Sequence, residues 1–243
     1  MKAKTVLAAL LIVAAALLAW RMFRTPDRLV HGRALDRREI ALRVLGEHLA
    51  GQTPGQAALI VANPFGQMPG QAREVYAFEE AAIRGLRSGW GDRIRLVGVD
   101  YPELTPAARK DPSSVPLPPD TTTPLSFLTA QRAWDALASK HPDATLFVSV
   151  IGVPAGLQAL DCWRNPTPRF ALLLPDLRLI GDAQAIAAAF KSGKIVASVL
   201  SRPGAPPETA AIQRDDRDEF EARYLFVTAA NIDDLIEVFP ALF

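Results

Sequence analysis

The chain has 243 residues, of which 49% are hydrophobic, and a formal net charge of +1. This length and hydrophobic content suffice for a buried core in one domain of ordinary size. The near balance of Lys and Arg against Asp and Glu, with no basic stripe, argues against a nucleic-acid partner, because neutralising a phosphate backbone needs clustered cations.

The first predicted element is an apolar segment at the amino terminus. Residues 6–20 contain no polar side chain; two lysines precede them and two arginines follow. With its flanks the segment is just long enough to cross a thin bilayer, for which about 20 residues are needed. Bulky Trp20 beside Arg21 is a poor cleavage site for a signal peptidase. We therefore interpret residues 1–24 as an uncleaved signal anchor that contacts the membrane through residues 5–23.

Two signals disagree about the orientation of this anchor. A short amino-terminal tail normally stays in the cytoplasm, which would export the rest of the chain. Six arginines between residues 21 and 38 would instead hold that flank inside. We favour a single-pass anchor with the soluble domain on the exported side, periplasmic or extracellular, and keep the opposite orientation as the alternative.

The rest of the chain divides into a stem helix with a linker, residues 25–56, and one α/β domain, residues 57–243. Six nearly all-apolar runs predict strands at 57–62, 93–99, 144–152, 169–174, 194–200 and 223–228. Helical patterns lie at 73–88, 124–139, 155–163, 182–191 and 231–239. Apolar strands that alternate with helices are typical of parallel sheets covered on both faces. The pattern predicts an α/β fold, with a doubly wound, mainly parallel sheet of five to six strands and helices on both faces, preceded by an N-terminal membrane helix.

Polar residues follow these strands, and they predict a ligand site. In open α/β sheets, ligands bind outside the carboxyl ends of the strands, near the point where the strand order reverses. The side chains that this rule selects are Asn63, Asp100, Tyr101, Asp176, Ser201, Arg202 and Asn231. Two long connections, 105–124 and 202–222, leave from the same edge. They either cover the crevice or form solvated excursions.

The turn after the first strand contains Asn63-Pro64 and two glycines, Gly66 and Gly70. Backbone N–H groups between a strand and a helix can hold an anion. The phosphate-binding motifs G-x-x-x-x-G-K-[ST] and G-x-G-x-x-G are both missing from this turn. We favour a turn as the role of the glycines, with backbone donation to a ligand as the alternative.

The chemistry of an enzyme has little support in the sequence. It contains neither a G-x-S-x-G nor an H-E-x-x-H motif, and the three histidines are scattered. We predict no catalytic residue, no metal and no cofactor. The single cysteine, Cys162, is expected to be a buried structural thiol rather than a reactive one, at the edge of the sheet opposite the ligand site.

The stretch "IVANPFGQMPGQAREVYAFEEAAIRG", together with "IRLVGVD" at residues 94–100, resembles the first strand–helix–strand unit of type I periplasmic-binding-protein-like domains. The resemblance implies that Asn63, Phe65 and Asp100 line a ligand cleft. We count Gly66, in the same turn, among the candidate ligand-binding residues through its backbone N–H. The soluble part corresponds to about one lobe of that family. Closing the cleft therefore requires a homodimer partner or the two long connections.

Three functions remain open from the sequence. The favoured one is a membrane-anchored binding or sensing domain for a small polar ligand. The second is a structural domain that docks on a membrane-associated protein partner. The third, least favoured, is an enzyme that uses Asp100 and Asp176 as acid and base.

Overall fold

The computed structural model describes residues 30–243. The predicted signal anchor and the first part of the predicted stem lie outside the described residues. Among the helices of residues 30–243, none combines the length and the apolar character that crossing a membrane requires.

Six strands form one sheet: β1 (Ala57–Val61), β2 (Arg95–Asp100), β3 (Leu146–Ser149), β4 (Arg169–Leu173), β5 (Ile195–Ser201) and β6 (Tyr224–Val227). Their order is β2-β1-β3-β4-β5-β6. The first five run parallel, and β6 pairs with β5 in the antiparallel direction. The prediction of a mainly parallel α/β sheet is confirmed. The strand order reverses between β1 and β3, so the switch point lies there.

The described helices are α1 (30–52), α2 (Arg73–Trp90), α3 (Pro106–Lys110), α4 (Leu125–Leu128), α5 (Ala133–Lys140), α6 (Asp161–Arg164), α7 (Ala183–Lys191), α8 (Asp216–Arg223) and α9 (Ile232–Val238). The single helix expected over 124–139 is wrong, because α4 and α5 are separate. Between them Leu104 and Thr129 form an isolated antiparallel bridge, and Ala130 donates its N–H to the Glu103 carbonyl. These non-local backbone bonds replace the ones that a continuous helix would make.

The sheet buries both of its faces, as the apolar strands predict. Alternate residues of β1 point to opposite sides, with Ile60 on one face and Leu59 on the other. Helices α1, α2 and α8 cover the Ile60 side, and Leu42 and Leu45 of α1 are fully buried there. Helices α5, α6, α7 and α9 cover the Leu59 side. The helix of the predicted stem thus contributes side chains to the core of the α/β unit.

Helices α1 and α2 touch along their backbones. A Cβ atom added at Gly85 or Gly89 of α2 would lie well within 3.0 Å of the carbonyl oxygen of Glu39 or Arg43 on α1. Real Cβ atoms essentially never come so close. These two glycines therefore set the separation of the helices on this face of the sheet.

A buried ionic cluster joins α1 to α8. Glu219 accepts hydrogen bonds from Arg37 of α1, at 2.8 Å, and from Arg223 of its own helix. The three side chains are each no more than 4% exposed. Both arginines also donate to carbonyls of the connection after β5, including a 2.7 Å bond from Arg37 to the carbonyl of Ala210. The second long connection is thus tied against α1 and α8.

Candidate functional site

The turn after β1 uses its polar groups internally. The Asn63 side chain accepts the N–H of Phe65 at 3.0 Å, and the N–H of Gly66 bonds to the Asn63 carbonyl. Gly70 has a φ of +80°, a conformation that favours glycine. Phe65 packs against a small cluster of Leu104, Ala108 and Leu128. The first long connection therefore covers this turn, and the arrangement agrees with a turn-forming role for the glycines.

Two charged residues that the sequence analysis missed stand at the switch point. Arg38 of α1 donates to the carbonyl of Val150, just past β3, at 3.0 Å, and its Nη2 is 3.5 Å from Glu79 Oε1. Glu79 in turn accepts the N–H of Asn63, just past β1. Burial lowers the pKa of Arg38 and raises the pKa of Glu79. No local pattern marks this pair in the sequence, where Arg38 belongs to the basic flank of the predicted anchor.

Asp100, at the end of β2, binds other groups of the same chain. Its Oδ2 lies 2.7 Å from Lys140 Nζ and 2.7 Å from His141 Nε2, and its Oδ1 accepts the N–H of Tyr101. Burial raises the pKa of this carboxyl group, but the hydrogen bonds from Lys140, His141 and the Tyr101 N–H outweigh burial and lower it. Asp100 thus ties the edge strand β2 to the end of α5.

We expect the Asp100→Asn substitution to reduce the free energy of unfolding by about 1 kcal/mol at pH 7. The effect is modest because solvent screens the interaction of Asp100 with the exposed Lys140. Because folding lowers the pKa of Asp100, its contribution is complete above the ordinary aspartate pKa of about 3.9 and is lost as the pH falls through the folded value. Urea unfolding of both proteins at pH 7 and near pH 3 measures this.

The difference between Asp100→Asn and wild type should shrink at the lower pH. Glu103→Gln is the matched control, because Glu103 pairs with Arg109 at the surface and both side chains are more than half exposed. Its effect should be smaller than that of Asp100→Asn at pH 7. An Asp100→Asn effect of equal size at both pH values would contradict this role.

The predicted acid–base pair is not assembled. Asp100 follows β2 and Asp176 follows β4, which are three strand positions apart in the sheet. At about 4.8 Å per strand, this places the two residues roughly 14 Å apart. Paired carboxylates that act on one bond in glycoside hydrolysis are about 5–9.5 Å apart. The geometry therefore does not support an enzyme in which Asp100 and Asp176 act together as acid and base.

Two of the predicted site residues share a cavity of about 380 Å³ at the carboxyl edge of β4 and β5. Asp176 and Ser201 line it, as the rule on strand ends predicts. Its volume falls within the range of small-molecule sites. The other lining residues come from the same strand ends, from the first long connection and from the carboxyl terminus: Asp120, Thr122, Leu174, Pro175, Arg178, Leu200, Ala241 and Leu242.

A bidentate ion pair gives this cavity its polar character. Arg178 Nε and Nη2 each lie 2.8 Å from an oxygen of the Asp176 carboxylate. The Asp176 side chain is 8% exposed, whereas Arg178 is 42% exposed and its Nη1 also lies 3.5 Å from Asp120 Oδ2. The hydrogen bond and the charge of Asp176 raise the pKa of Arg178. Leu174 in the cavity wall has a φ of +45°, a strained conformation for a leucine.

The remaining predicted residues lie elsewhere. Arg202 lines a different cavity, on the α1 and α8 side of β6. Asn231 follows β6, and because β6 runs antiparallel its end lies at the opposite edge of the sheet. There the Asn231 side chain accepts the N–H of Thr228 and donates to the carbonyl of Phe226. The prediction that Asn231 lies at the ligand edge requires a parallel β6. Since β6 is antiparallel, this placement is wrong.

Cys162 is buried, and its predicted role as a structural thiol agrees with its surroundings. Burial and the neighbouring Asp135 raise the pKa of its thiol to about 12. Such a group is protonated at neutral pH and is a poor nucleophile.

Comparisons with known proteins give structural neighbours only. Neither a protein-family model nor a curated protein matches the chain. The solved structures similar to it include an arabinose-binding protein from Geobacillus stearothermophilus, with 12% identity and a TM-score of 0.42 over 82% of this chain and 63% of that one. A carbohydrate transporter from Acidothermus cellulolyticus in complex with myo-inositol has 12% identity and a TM-score of 0.43 over 84% of this chain and 62% of that one.

A substrate-binding protein of a sugar ABC transport system from Bordetella parapertussis has 12% identity and a TM-score of 0.44, over 82% of this chain and 57% of that one. The chain thus spans less than two thirds of the length of these three proteins. The solved structures similar to this chain include periplasmic sugar-binding proteins of the type I periplasmic-binding-protein-like fold, the fold that the resemblance of residues 59–100 implied.

Proposed function

We propose that this chain is a binding domain for a small polar ligand, and that the ligand occupies the cavity at the carboxyl edge of β4 and β5. The observation that carries the proposal is the ion pair of buried Asp176 with partly exposed Arg178, in a concave site beside Ser201. A few fixed polar groups in a partly apolar cavity are the usual composition of a small-molecule site.

The lining groups favour a neutral ligand with several hydroxyl groups. Arg178 supplies donors, the carboxylates of Asp120 and Asp176 supply acceptors, and Ser201 supplies both. Leu200 and the neighbouring apolar residues provide a wall for the carbon skeleton. Two carboxylates and one guanidinium give the cavity a formal charge of −1, which disfavours anionic ligands. A sugar or another small polyol combines these properties.

The proposal includes the setting of the domain in the cell. Residues 5–23 would hold it at the membrane, with the α/β domain on the exported side, where it would sense or retain the ligand. A second copy of the chain would serve to close the cavity, since the chain corresponds to about one lobe of the family that it resembles.

We expect at least one member of a panel of monosaccharides and polyols to raise the melting temperature of the full-length chain in mild detergent. A ligand present at about 100 times its Kd contributes about 2.7 kcal/mol, which corresponds to roughly 5–10 °C for a chain of this size. The Ser201→Trp substitution should abolish the shift, because the indole would fill the cavity. Differential scanning fluorimetry measures both results.

The matched control is Ser192→Trp, which places the same side chain at an exposed position just after α7. This variant should keep the full ligand-induced shift. A shift that survives in Ser201→Trp would move the ligand away from this cavity. A panel that never shifts the melting temperature would contradict the polyol class.

A further inference from the structure

A second cavity, of about 500 Å³, lies between α1, α8 and the edge strand β6. It is separate from the cavity of the proposed function, with which it shares no lining residue. Its floor is aromatic: Phe220 lies 5.3 Å from Tyr224 and 6.1 Å from Phe226 between ring centroids. The ring of His48 stands edge-on to Phe226 at 4.8 Å, and burial lowers the pKa of this histidine. The floor is therefore a surface of flat rings.

The rim of this cavity carries opposite charges that residues 30–243 leave without ion-pair partners. Arg202 and Arg217 supply two guanidinium groups, and Glu47 and Glu221 supply two carboxylates. Within residues 30–243 none of these four side chains forms an ion pair, whereas the neighbouring Arg43 pairs with Asp216. Both signs of charge on this rim are therefore available to a ligand.

Arg202 is the most constrained of these groups. Its Nη2 donates to the carbonyl of Tyr224 at 3.3 Å, which holds the guanidinium against the start of β6. Its Nε is buried and has no hydrogen-bond partner among residues 30–243. A buried donor without a hydrogen-bond partner costs free energy, so its presence in a folded protein needs an explanation. A ligand carboxylate bound by the Nη atoms of Arg202 would stabilise the positive charge of its guanidinium.

From these observations we infer a second binding site, for a small molecule that carries one negative and one positive charge on an aromatic body. The guanidinium groups of Arg202 and Arg217 hold the anionic end, for which their planar geometry is suited. The carboxylates of Glu47 and Glu221 hold the cationic end. The rings of Phe220, Tyr224 and Phe226 contact the body of the ligand.

Isothermal titration of the full-length chain in mild detergent tests this site, with L-phenylalanine and L-tryptophan as probes. Phenylacetate lacks the positive charge and phenethylamine lacks the negative one. We expect saturable binding of at least one amino acid and at least tenfold weaker binding of both singly charged compounds. Absence of saturable binding up to about 10 mM, or equal binding of a singly charged compound, would overturn the inference.

Variants assign the binding to this cavity. Arg217→Gln changes an exposed rim residue, and it should weaken binding at least tenfold. The control Arg214→Gln, at an exposed position outside the cavity, should leave the affinity unchanged. Equal binding by Arg217→Gln and wild type would overturn the site. A loss of binding in Arg214→Gln as large as that in Arg217→Gln would place the probe outside this cavity and also overturn it.

Discussion

Replacing Glu219 by glutamine is expected to reduce the free energy of unfolding by about 3–5 kcal/mol. The carboxylate of Glu219 is the shared acceptor of Arg37 and Arg223, and all three side chains are nearly inaccessible to solvent. Removing the negative charge leaves two buried guanidinium groups close together, with the exposed Glu208 as their remaining carboxylate partner. It also loosens the connection after β5, whose carbonyls are bound by the same arginines.

The pH dependence of stability should reflect the same group. Burial raises the pKa of Glu219, but hydrogen bonds from Arg37, the Gln213 N–H and Arg223 outweigh burial and lower it. A carboxyl group whose pKa is lowered by folding stabilises the protein above its unfolded pKa of about 4.3. This stabilisation is lost as the pH falls through the folded pKa, so the deficit of Glu219→Gln should shrink in acid.

Urea unfolding of the full-length chain at pH 7 measures the loss, and two variants serve as controls. Glu221→Gln alters an exposed carboxylate of the same helix and should change stability by less than about 0.5 kcal/mol. Glu208→Gln alters a second carboxylate partner of Arg37. The Glu208 side chain is 69% exposed, so this change should reduce the free energy of unfolding by no more than about 1 kcal/mol. A Glu219→Gln variant as stable as Glu221→Gln would contradict the role assigned to the buried cluster.

The second large effect is expected for Gly89→Ala, which should destabilise the protein by about 2–3 kcal/mol. The added methyl group would meet the backbone of α1 at Arg43, and backbone cannot move aside as a flexible side chain can. Helices α1 and α2 would have to separate, which would disturb the packing of the buried Leu86 and Trp90 against the sheet. Gly85→Ala should act in the same direction for the same reason.

A glycine of α1 with open surroundings provides the control. Nothing lies within 4 Å of a Cβ added at Gly32, so Gly32→Ala should leave stability unchanged or raise it by up to about 1 kcal/mol. Thermal unfolding of the two variants beside wild type gives the comparison. Equal melting temperatures for Gly89→Ala and Gly32→Ala would show that α1 and α2 are not in close contact.

The strands were predictable because each is a compact apolar run, whereas the direction of β6 was not. A connection as long as 202–222 allows a parallel or an antiparallel return. The direction is decided by the pairing of β6 with β5, which runs from Ser201–Tyr224 to Ser198–Val227. The break between α4 and α5 depends on a bridge from Leu104 to Thr129. Such contacts join residues far apart in sequence and leave no local pattern.

Only part of the candidate site was predictable, because some of its residues are brought together by contacts that are distant in sequence. Asp176 and Ser201 follow strand ends, so the rule for parallel sheets was sufficient to find them. Asp120 and Leu242 reach the cavity from a long connection and from the carboxyl terminus, and no local spacing in the sequence predicts that they line it. Asp100 also follows a strand, but its position between Lys140 and His141 depends on how α5 packs, which the sequence does not reveal.

The most direct test of the central proposal is native mass spectrometry of the full-length chain released from mild detergent, with Ser201→Trp and Ser192→Trp measured in parallel. A small neutral molecule retained by the wild type and by Ser192→Trp, and missing from Ser201→Trp, would support a ligand in the cavity beside Asp176 and Arg178. A wild-type chain without any bound molecule after addition of the sugars and polyols, or a molecule that Ser201→Trp retains, would contradict it.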